Sequence, residues 1–160
     1  MDEHVQELLM RQAIAVCEQG MAVGQSPFGA VIADQAGTVI AAAHNSVRLR
    51  CDPTAHAEID VIRQAAERFN RIHLTGHVLF TTCEPCAMCA AAIHWARLDA
   101  VYYGASIQDA VDAGFNELPF PCAALLAGGG SSVELHGPVL ADECSALFGK
   151  WRERSDAVPY

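Results

Sequence analysis

The stretches Pro53-Thr54-Ala55-His56-Ala57-Glu58 and Cys83-Glu84-Pro85-Cys86-Ala87-Met88-Cys89 form the strongest pattern in this chain. The first contains His-x-Glu, the second contains Pro-Cys-x-x-Cys, and Cys86 follows His56 by 30 residues. Each stretch is expected at the start of a helix, because Thr54 is a good N-cap residue and Pro85 suits a first helical turn. The two motifs together are far more specific than either motif alone.

Three side chains of this pattern are candidate ligands of one zinc ion, namely His56, Cys86 and Cys89. The two cysteines are spaced i and i+3, so a helix places both sulfurs on one face, near the N-terminus that favours thiolates. Three protein ligands leave one tetrahedral position open, which is the arrangement of a catalytic zinc site. Glu58 is not needed as a ligand and is therefore the candidate general acid and base.

Other interpretations of the same cysteines remain open. A structural zinc site would use Cys83 as a fourth ligand, in a non-catalytic binding module stabilised by the metal. The spacing of Cys86 and Cys89 alone also matches a redox pair, or a chance pair near an unrelated histidine. Neither a redox pair nor a structural site explains a carboxylate two residues from His56, so the sequence favours the catalytic interpretation.

The composition is that of one globular domain. The chain has 160 residues, of which 52% are hydrophobic and 18% charged, so it is long enough to bury a core. No apolar run has the length of a membrane-spanning helix, and the acidic start Met1-Asp2-Glu3-His4 does not resemble a signal peptide. The odd number of cysteines, 7, favours a metal site in a reducing compartment over disulfides. We expect a single domain over residues 1–160, located in the cytoplasm.

The charge balance argues against nucleic acid as a partner. The formal net charge is -9, with 10 Lys and Arg against 19 Asp and Glu. Proteins obtain most of their sequence-independent affinity for nucleic acids from cationic side chains, and this chain has no basic cluster. A small neutral or weakly basic molecule is the expected substrate.

Hydrophobic periodicity predicts an α/β fold. A helix over residues 5–19 that ends at Gly20 is followed by a β-hairpin with strands at 28–33 and 38–43. Both strands are almost continuously apolar, so helices are expected on both faces of the sheet. Strands at 77–82 and 99–104 should be parallel, a short strand follows at 133–136, and Asp142 should cap the last helix. This order predicts a three-layer α/β/α sandwich with a five-stranded mixed sheet.

At its two motifs the sequence resembles the cytidine-deaminase-like superfamily, which contains the zinc-dependent deaminases of nucleobases. The similarity covers nearly the whole chain and is greatest to the bacterial guanine deaminases. The zinc motif identifies only the superfamily, whereas Trp95-Ala96-Arg97, Ala113-Gly114-Phe115 and the aromatic end of the tail favour the guanine branch. The matching segments are residues 27–32, 52–58, 82–89, 93–97, 112–115 and 151–160, together with Asn45.

The resemblance implies hydrolytic deamination of guanine to xanthine and ammonia, an activity of purine catabolism. In such enzymes the residue matching Asn45 and an acidic residue after the Ala-Gly-Phe segment bind the purine. The acidic residue here is Glu117, but Asn116 and Glu117 stand where the family has an Asp-Asp pair, so either is a candidate. The resemblance also assigns the backbone amide of Ala57 to the ring edge, and Phe28 is either a core residue or a wall of the pocket.

The resemblance further implies a homodimer in which residues 155–160 form a tail that closes an active site with Tyr160. In that family the tail is exchanged between subunits, and the sequence leaves open whether it acts within one chain or from a partner. Guanosine, cytosine and the amino-triazine ammeline are alternative substrates. Deamination of adenosine in tRNA is a further alternative, because residues 52–58 also fit that branch.

Overall fold

Five strands form one mixed sheet at the centre of the protein in the computed structural model, which describes residues 1–160. The strand bounds are β1 Gly29–Asp34, β2 Val39–His44, β3 His77–Cys83, β4 Ala100–Ala105 and β5 Glu134–His136. The strands lie side by side in the order β2-β1-β3-β4-β5. β1 pairs antiparallel with β2 and β3, whereas β3, β4 and β5 run parallel. The predicted five-stranded mixed sheet is therefore confirmed.

Helices cover both faces of this sheet. α1, α5 and α7 enclose one apolar cluster of 20 buried residues, and α3, α4 and α6 enclose a second cluster of 17 on the opposite face. The three-layer α/β/α sandwich is therefore confirmed. None of the helices has the length and apolar character needed to cross a membrane. The helix bounds are α1 Glu3–Ala22, α2 Val47–Arg50, α3 Ala57–Phe69, α4 Ala87–Ala96, α5 Ile107–Asp112, α6 Cys122–Gly128 and α7 Ala141–Arg152.

The predicted hairpin joins β1 to β2 through a turn closed by Asp34. Its Oδ1 accepts hydrogen bonds from the backbone N–H groups of Ala36 at 2.9 Å and Thr38 at 2.8 Å. β1 is buried at every position but its last, whereas β2 is an edge strand whose Ala42 is exposed. Helices therefore cover the first strand as expected, and cover the second only in part.

Gly20 lies inside α1 and does not end it, contrary to the expectation from sequence. A Cβ atom at this position would lie 2.6 Å from the Cβ of His44. The missing side chain therefore allows α1 to approach β2 closely, and the helix continues to Ala22.

The starts of the two helices that carry the motifs differ slightly from the prediction. Thr54 does not cap α3, because its hydroxyl donates to Oδ1 of Asp52 at 2.7 Å. The N-cap residues are instead His56 in α3 and Cys86 in α4, and neither side chain makes a capping hydrogen bond. Both side chains are therefore free to face one another between two helix N-termini. The last helix also begins earlier than predicted, because its N-cap residue is Leu140, and Asp142, the predicted cap, lies in the first turn.

Candidate active site

The imidazole of His56 and the thiols of Cys86 and Cys89 converge where α3 and α4 begin. Nδ1 of His56 lies 3.7 Å from Sγ of Cys86 and 3.5 Å from Sγ of Cys89, and the three ligand atoms all lie within 4.8 Å of one another. Zinc bonds of about 2.05 Å to nitrogen and 2.3 Å to sulfur at a tetrahedral angle separate the two atoms by about 3.6 Å. The three predicted ligands therefore fit one zinc ion.

Cys83 does not belong to this ligand group. Its thiol donates to the carbonyl of Ser106 at 3.4 Å, and burial raises its pKa well above the usual range. Its sulfur is engaged by that carbonyl and lies outside the group of three ligand atoms. The site therefore offers three protein ligands, which is the number found in catalytic zinc centres.

The pKa values of the two cysteine ligands are shifted in opposite directions. A hydrogen bond from Cys89 is the main cause that lowers the pKa of Cys86 to about 4, and His56 lowers it further against the opposing effect of burial. The same bond, together with burial, raises the pKa of Cys89 well above its usual range. Burial acts to lower the pKa of His56, but the hydrogen bond to Cys86 and the charge of Glu58 raise it overall. In the metal-free cluster Cys86 is therefore the cysteine that favours the thiolate form, and a bound zinc ion would displace the proton of Cys89.

Glu58 lies in the first turn of α3 and is directed at the ligand group. Its carboxyl is 5% exposed, and Sγ of Cys89 lies 3.6 Å from Oε2. Burial raises the pKa of Glu58. A carboxyl whose pKa is raised towards the working pH is suited to exchange protons with a reactant.

Thr81 is a residue of the site that the sequence motifs did not reveal. It lies on β3 with 1% exposure, and its hydroxyl donates to Oε1 of Glu58 at 3.0 Å. The neighbouring Thr82 accepts a hydrogen bond from the backbone N–H of Gly29 at 3.1 Å. Two adjacent polar residues at the end of a buried, apolar strand are the signal that could have identified Thr81, because buried hydroxyls need partners.

A small cavity of about 10 Å³ adjoins the ligand group, with room for about one water molecule. A larger cavity of about 940 Å³ lies at the other end of β3 and β4, near Val78, Trp95 and Ala100. The small cavity is the candidate active site, because it adjoins the only ligand group and Glu58. Its walls are Phe28, His56, Glu58, Cys83, Glu84, Cys86, Ile107 and Glu117.

The amide of Asn45 is buried, and its neighbours fix its orientation. Its Oδ1 accepts from the backbone N–H of Val47 at 3.2 Å, and its Nδ2 donates to the phenol oxygen of Tyr160 at 2.6 Å. The side chain therefore presents its donor group, and not its acceptor, towards the tail and the site.

The tail formed by residues 155–160 reaches the site of its own chain. The ring of Tyr160 lies 6.3 Å from that of His56 and 5.6 Å from that of Phe115, measured between centroids. The carbonyl of Tyr160 accepts from the backbone N–H of Asn116 at 3.0 Å, and Arg48 donates to the carbonyl of Asp156 at 2.8 Å. The tail is thus bound both to the residue before Glu117 and to α2.

The remaining predicted site residues also lie at or next to the cavity. Glu117 lines it, whereas Asn116 is exposed, and burial raises the pKa of Glu117. Phe28 lines the cavity and also packs edge-on against Phe115 at 5.0 Å, so it is both a core residue and a wall. Ala57 is the first residue of α3, where a backbone amide has no acceptor within the helix.

This sequence and fold are similar to those of known proteins. The family model for the cytidine and deoxycytidylate deaminase zinc-binding region matches residues 3–105. A guanine deaminase of Bacillus subtilis (strain 168) is 43% identical over 112 residues, which are 69% of this chain and 71% of that protein. A tRNA-specific adenosine deaminase of Haemophilus influenzae is 34% identical over 151 residues, which are 92% of this chain and 85% of that protein.

One solved structure with high similarity is that of a guanine deaminase from Nitrosomonas europaea. It matches with a TM-score of 0.86 and 25% sequence identity, over 92% of this chain and 85% of that chain. The residues that the family model matches include His56, Cys86 and Cys89. The ligand group therefore lies within the part of the chain that carries the family similarity.

Proposed function

Because the chain belongs to the zinc-binding cytidine and deoxycytidylate deaminase family, we propose that this deaminase hydrolyses guanine to xanthine and ammonia. The observation that carries the choice of guanine is the small cavity beside the ligand group, which Glu117 lines and near which the ring of Tyr160 lies 6.3 Å from that of His56. A free base needs less displacement of the tail than a nucleoside or an RNA loop. The similarity to a guanine deaminase of Bacillus subtilis supports the same choice.

The proposed chemistry requires a proton carrier beside the zinc ligands. The zinc ion, when bound, makes water at its open position a better nucleophile. With zinc bound, Glu58 would take one proton from the attacking water and pass it to a ring nitrogen, and would then move the second proton from the new hydroxyl group to the amino group. The carbon–nitrogen bond would then break, releasing ammonia and leaving the carbonyl of the product. Thr81 holds the carboxyl of Glu58 in place through its hydroxyl.

The proposed substrate residues match the hydrogen-bonding groups of guanine. The carboxylate of Glu117 would accept from ring N–H groups, and the amide of Asn45 would donate to an acceptor on the other edge. The amide of Ala57 would bind the edge that faces α3, and the ring of Phe28 would pack against the base. A site with both an acceptor and donors of this kind discriminates against bases with the opposite pattern.

We also propose that residues 155–160 close over the bound base and that two copies of the chain form a homodimer. The contacts of Tyr160 with Asn45 and Phe115 support closure within one chain, and exchanged tails would make the same contacts between two subunits. Analytical ultracentrifugation of the full chain should show a dimer. A monomer at all concentrations would exclude both the homodimer and the exchange.

Replacing Tyr160 by phenylalanine should lower kcat/KM for guanine about ten-fold, the usual effect of losing one hydrogen bond. The ring would keep its packing on Phe115 and lose the bond from Asn45. Removing residues 156–160 should have a larger effect, and the zinc content should stay unchanged in both variants. Steady-state kinetics measures kcat/KM, and metal analysis of the same samples measures the zinc content. Wild-type kinetics in both variants would exclude a role for the tail.

Deamination of adenosine in tRNA is the second candidate, because the similarity to a tRNA-specific adenosine deaminase extends over 92% of this chain. The net charge of -9 opposes it, since a protein that binds tRNA needs cationic contacts to phosphates. Inosine formation in tRNA at low salt, measured beside guanine turnover, separates the two candidates.

An ammonia-release screen tests the proposed substrate directly. It compares guanine, guanosine, adenine, cytosine, cytidine and ammeline at equal concentration with the zinc-loaded protein. We expect the fastest release from guanine and slow release from guanosine, because its ribose must find room beside the tail. Release from another compound with no turnover of guanine would refute the proposal.

A further inference from the structure

Glu84 lies in the turn before the zinc ligand Cys86. It connects this turn to a part of the chain that is distant in sequence. Its backbone N–H donates to the carbonyl of Ala105 at 2.8 Å, which fixes it at the ends of β3 and β4. Its Oε1 accepts from the backbone N–H of Cys122 at 2.8 Å, and its side chain lines the cavity. It is outside the ligand group, and the proton transfer assigned to Glu58 does not require it.

The contact with Cys122 holds one end of the segment that carries Glu117. Cys122 is the first residue of α6, and residues 116–121 lead into it. At the other end of the segment, Phe115 is buried with 4% exposure and packs on Trp151 at 4.9 Å between ring centroids. Residues 118–121 are exposed, so little apolar burial holds the middle of the segment. The position of Glu117 therefore depends on the two ends and on the hydrogen bond from the backbone N–H of Asn116 to the carbonyl of Tyr160.

We propose that Glu84 is a positioning residue that holds the Glu117 segment over the site and thereby sets the affinity for substrate. This inference rests on the proposed role of Glu117 in binding guanine. A carboxylate that accepts a backbone N–H forms one of the stronger hydrogen bonds in proteins. A glutamine side chain can still accept that bond through its carbonyl oxygen, whereas alanine leaves the N–H of Cys122 without its partner.

Kinetics of substitutions at Glu84 test the proposal. Glu84→Ala should raise KM for guanine about ten-fold and change kcat by less than about three-fold, with unchanged zinc content. Glu84→Gln should restore KM to near the wild-type value, and Glu67→Ala on the exposed face of α3 is the matched control. In a Glu117→Gln background, Glu84→Ala should raise KM no further, because both substitutions remove the same interaction, that of Glu117 with the substrate. A merely structural role would make the two effects add.

Backbone amide exchange tests the anchor without any substrate. Residues 116–122 should exchange faster in Glu84→Ala than in the wild type and in Glu84→Gln, with the core strands unchanged. If exchange is faster in Glu84→Ala as expected but the wild type does not turn over guanine, guanine is the wrong substrate. The proposed role of Glu84 in holding residues 116–122 is then still supported. Unchanged exchange in this segment, or additive effects of Glu84→Ala and Glu117→Gln on KM, would overturn the role of Glu84.

Discussion

Replacing Glu58 by glutamine will lower kcat for guanine by about 10³-fold, within the range that loss of a general acid and base produces. Glutamine has nearly the same shape, and its carbonyl oxygen can still accept the hydrogen bond from Thr81, but it cannot carry the proton. In the metal-free protein, burial raises the pKa of Glu58, so its ionised form destabilises the fold at pH values above that pKa. The neutral amide should therefore leave the melting temperature unchanged or higher.

The measurement is steady-state kinetics with metal analysis of the same samples. Glu67→Gln, on the exposed surface of the same helix, is the matched control and should behave as the wild type. A Glu58→Gln variant that retains zinc and a near-normal rate would show that another group transfers the proton.

Removing the metal with a chelator will abolish deamination and leave the chain folded. The two apolar clusters of 20 and 17 buried residues lie on the two faces of the sheet, and most of their members are far from the ligands. Loss of a ligand that binds only the folded state lowers the melting temperature by mass action, but the core remains. Circular dichroism of the chelated sample measures the fold, and added zinc should restore the rate.

Substitution of the ligands gives the same test by another route. Cys86→Ala should lose most of its zinc and its activity, whereas Cys51→Ala, at an exposed cysteine outside the ligand group, should lose neither. If chelation unfolds the chain, and the molecules that stay folded without zinc keep normal activity, the zinc site is purely structural.

The ligand group could be predicted from the sequence because its residues are local to two helix starts. His56 and Cys86 are N-cap residues and Cys89 lies in the first turn of α4, so two short motifs nearly define where the side chains point. The alternation of apolar strands and helices likewise predicted the sandwich, because hydrophobic periodicity depends on neighbours along the chain.

The remaining parts of the site depend on contacts between residues far apart in sequence. The bond between Thr81 and Glu58 follows from how α3 packs on β3, and the bond from Cys122 to Glu84 follows from how α6 packs beside α4. The hydrophobic periodicity of the sequence does not indicate such long-range contacts. Gly20 shows the same limit, because its packing against β2, and not its helix propensity, explains why glycine is there.

The choice of substrate is the part that the motifs leave open. His56, Glu58 and the two cysteines lie in the region that the family model matches, and guanine and tRNA-adenosine deaminases both resemble this chain over long stretches. The residues proposed to distinguish the substrates, Asn45 and Glu117, lie near the cavity through tertiary structure. Glu117 lines the small cavity, and Asn45 donates to Tyr160 of the tail.

The most direct test of the central claim is the product formed from guanine by the zinc-loaded wild-type protein, followed by chromatography. We predict xanthine and ammonia in equal amounts, with no inosine formed in tRNA under the same conditions. Inosine in tRNA without any xanthine from guanine would contradict the account.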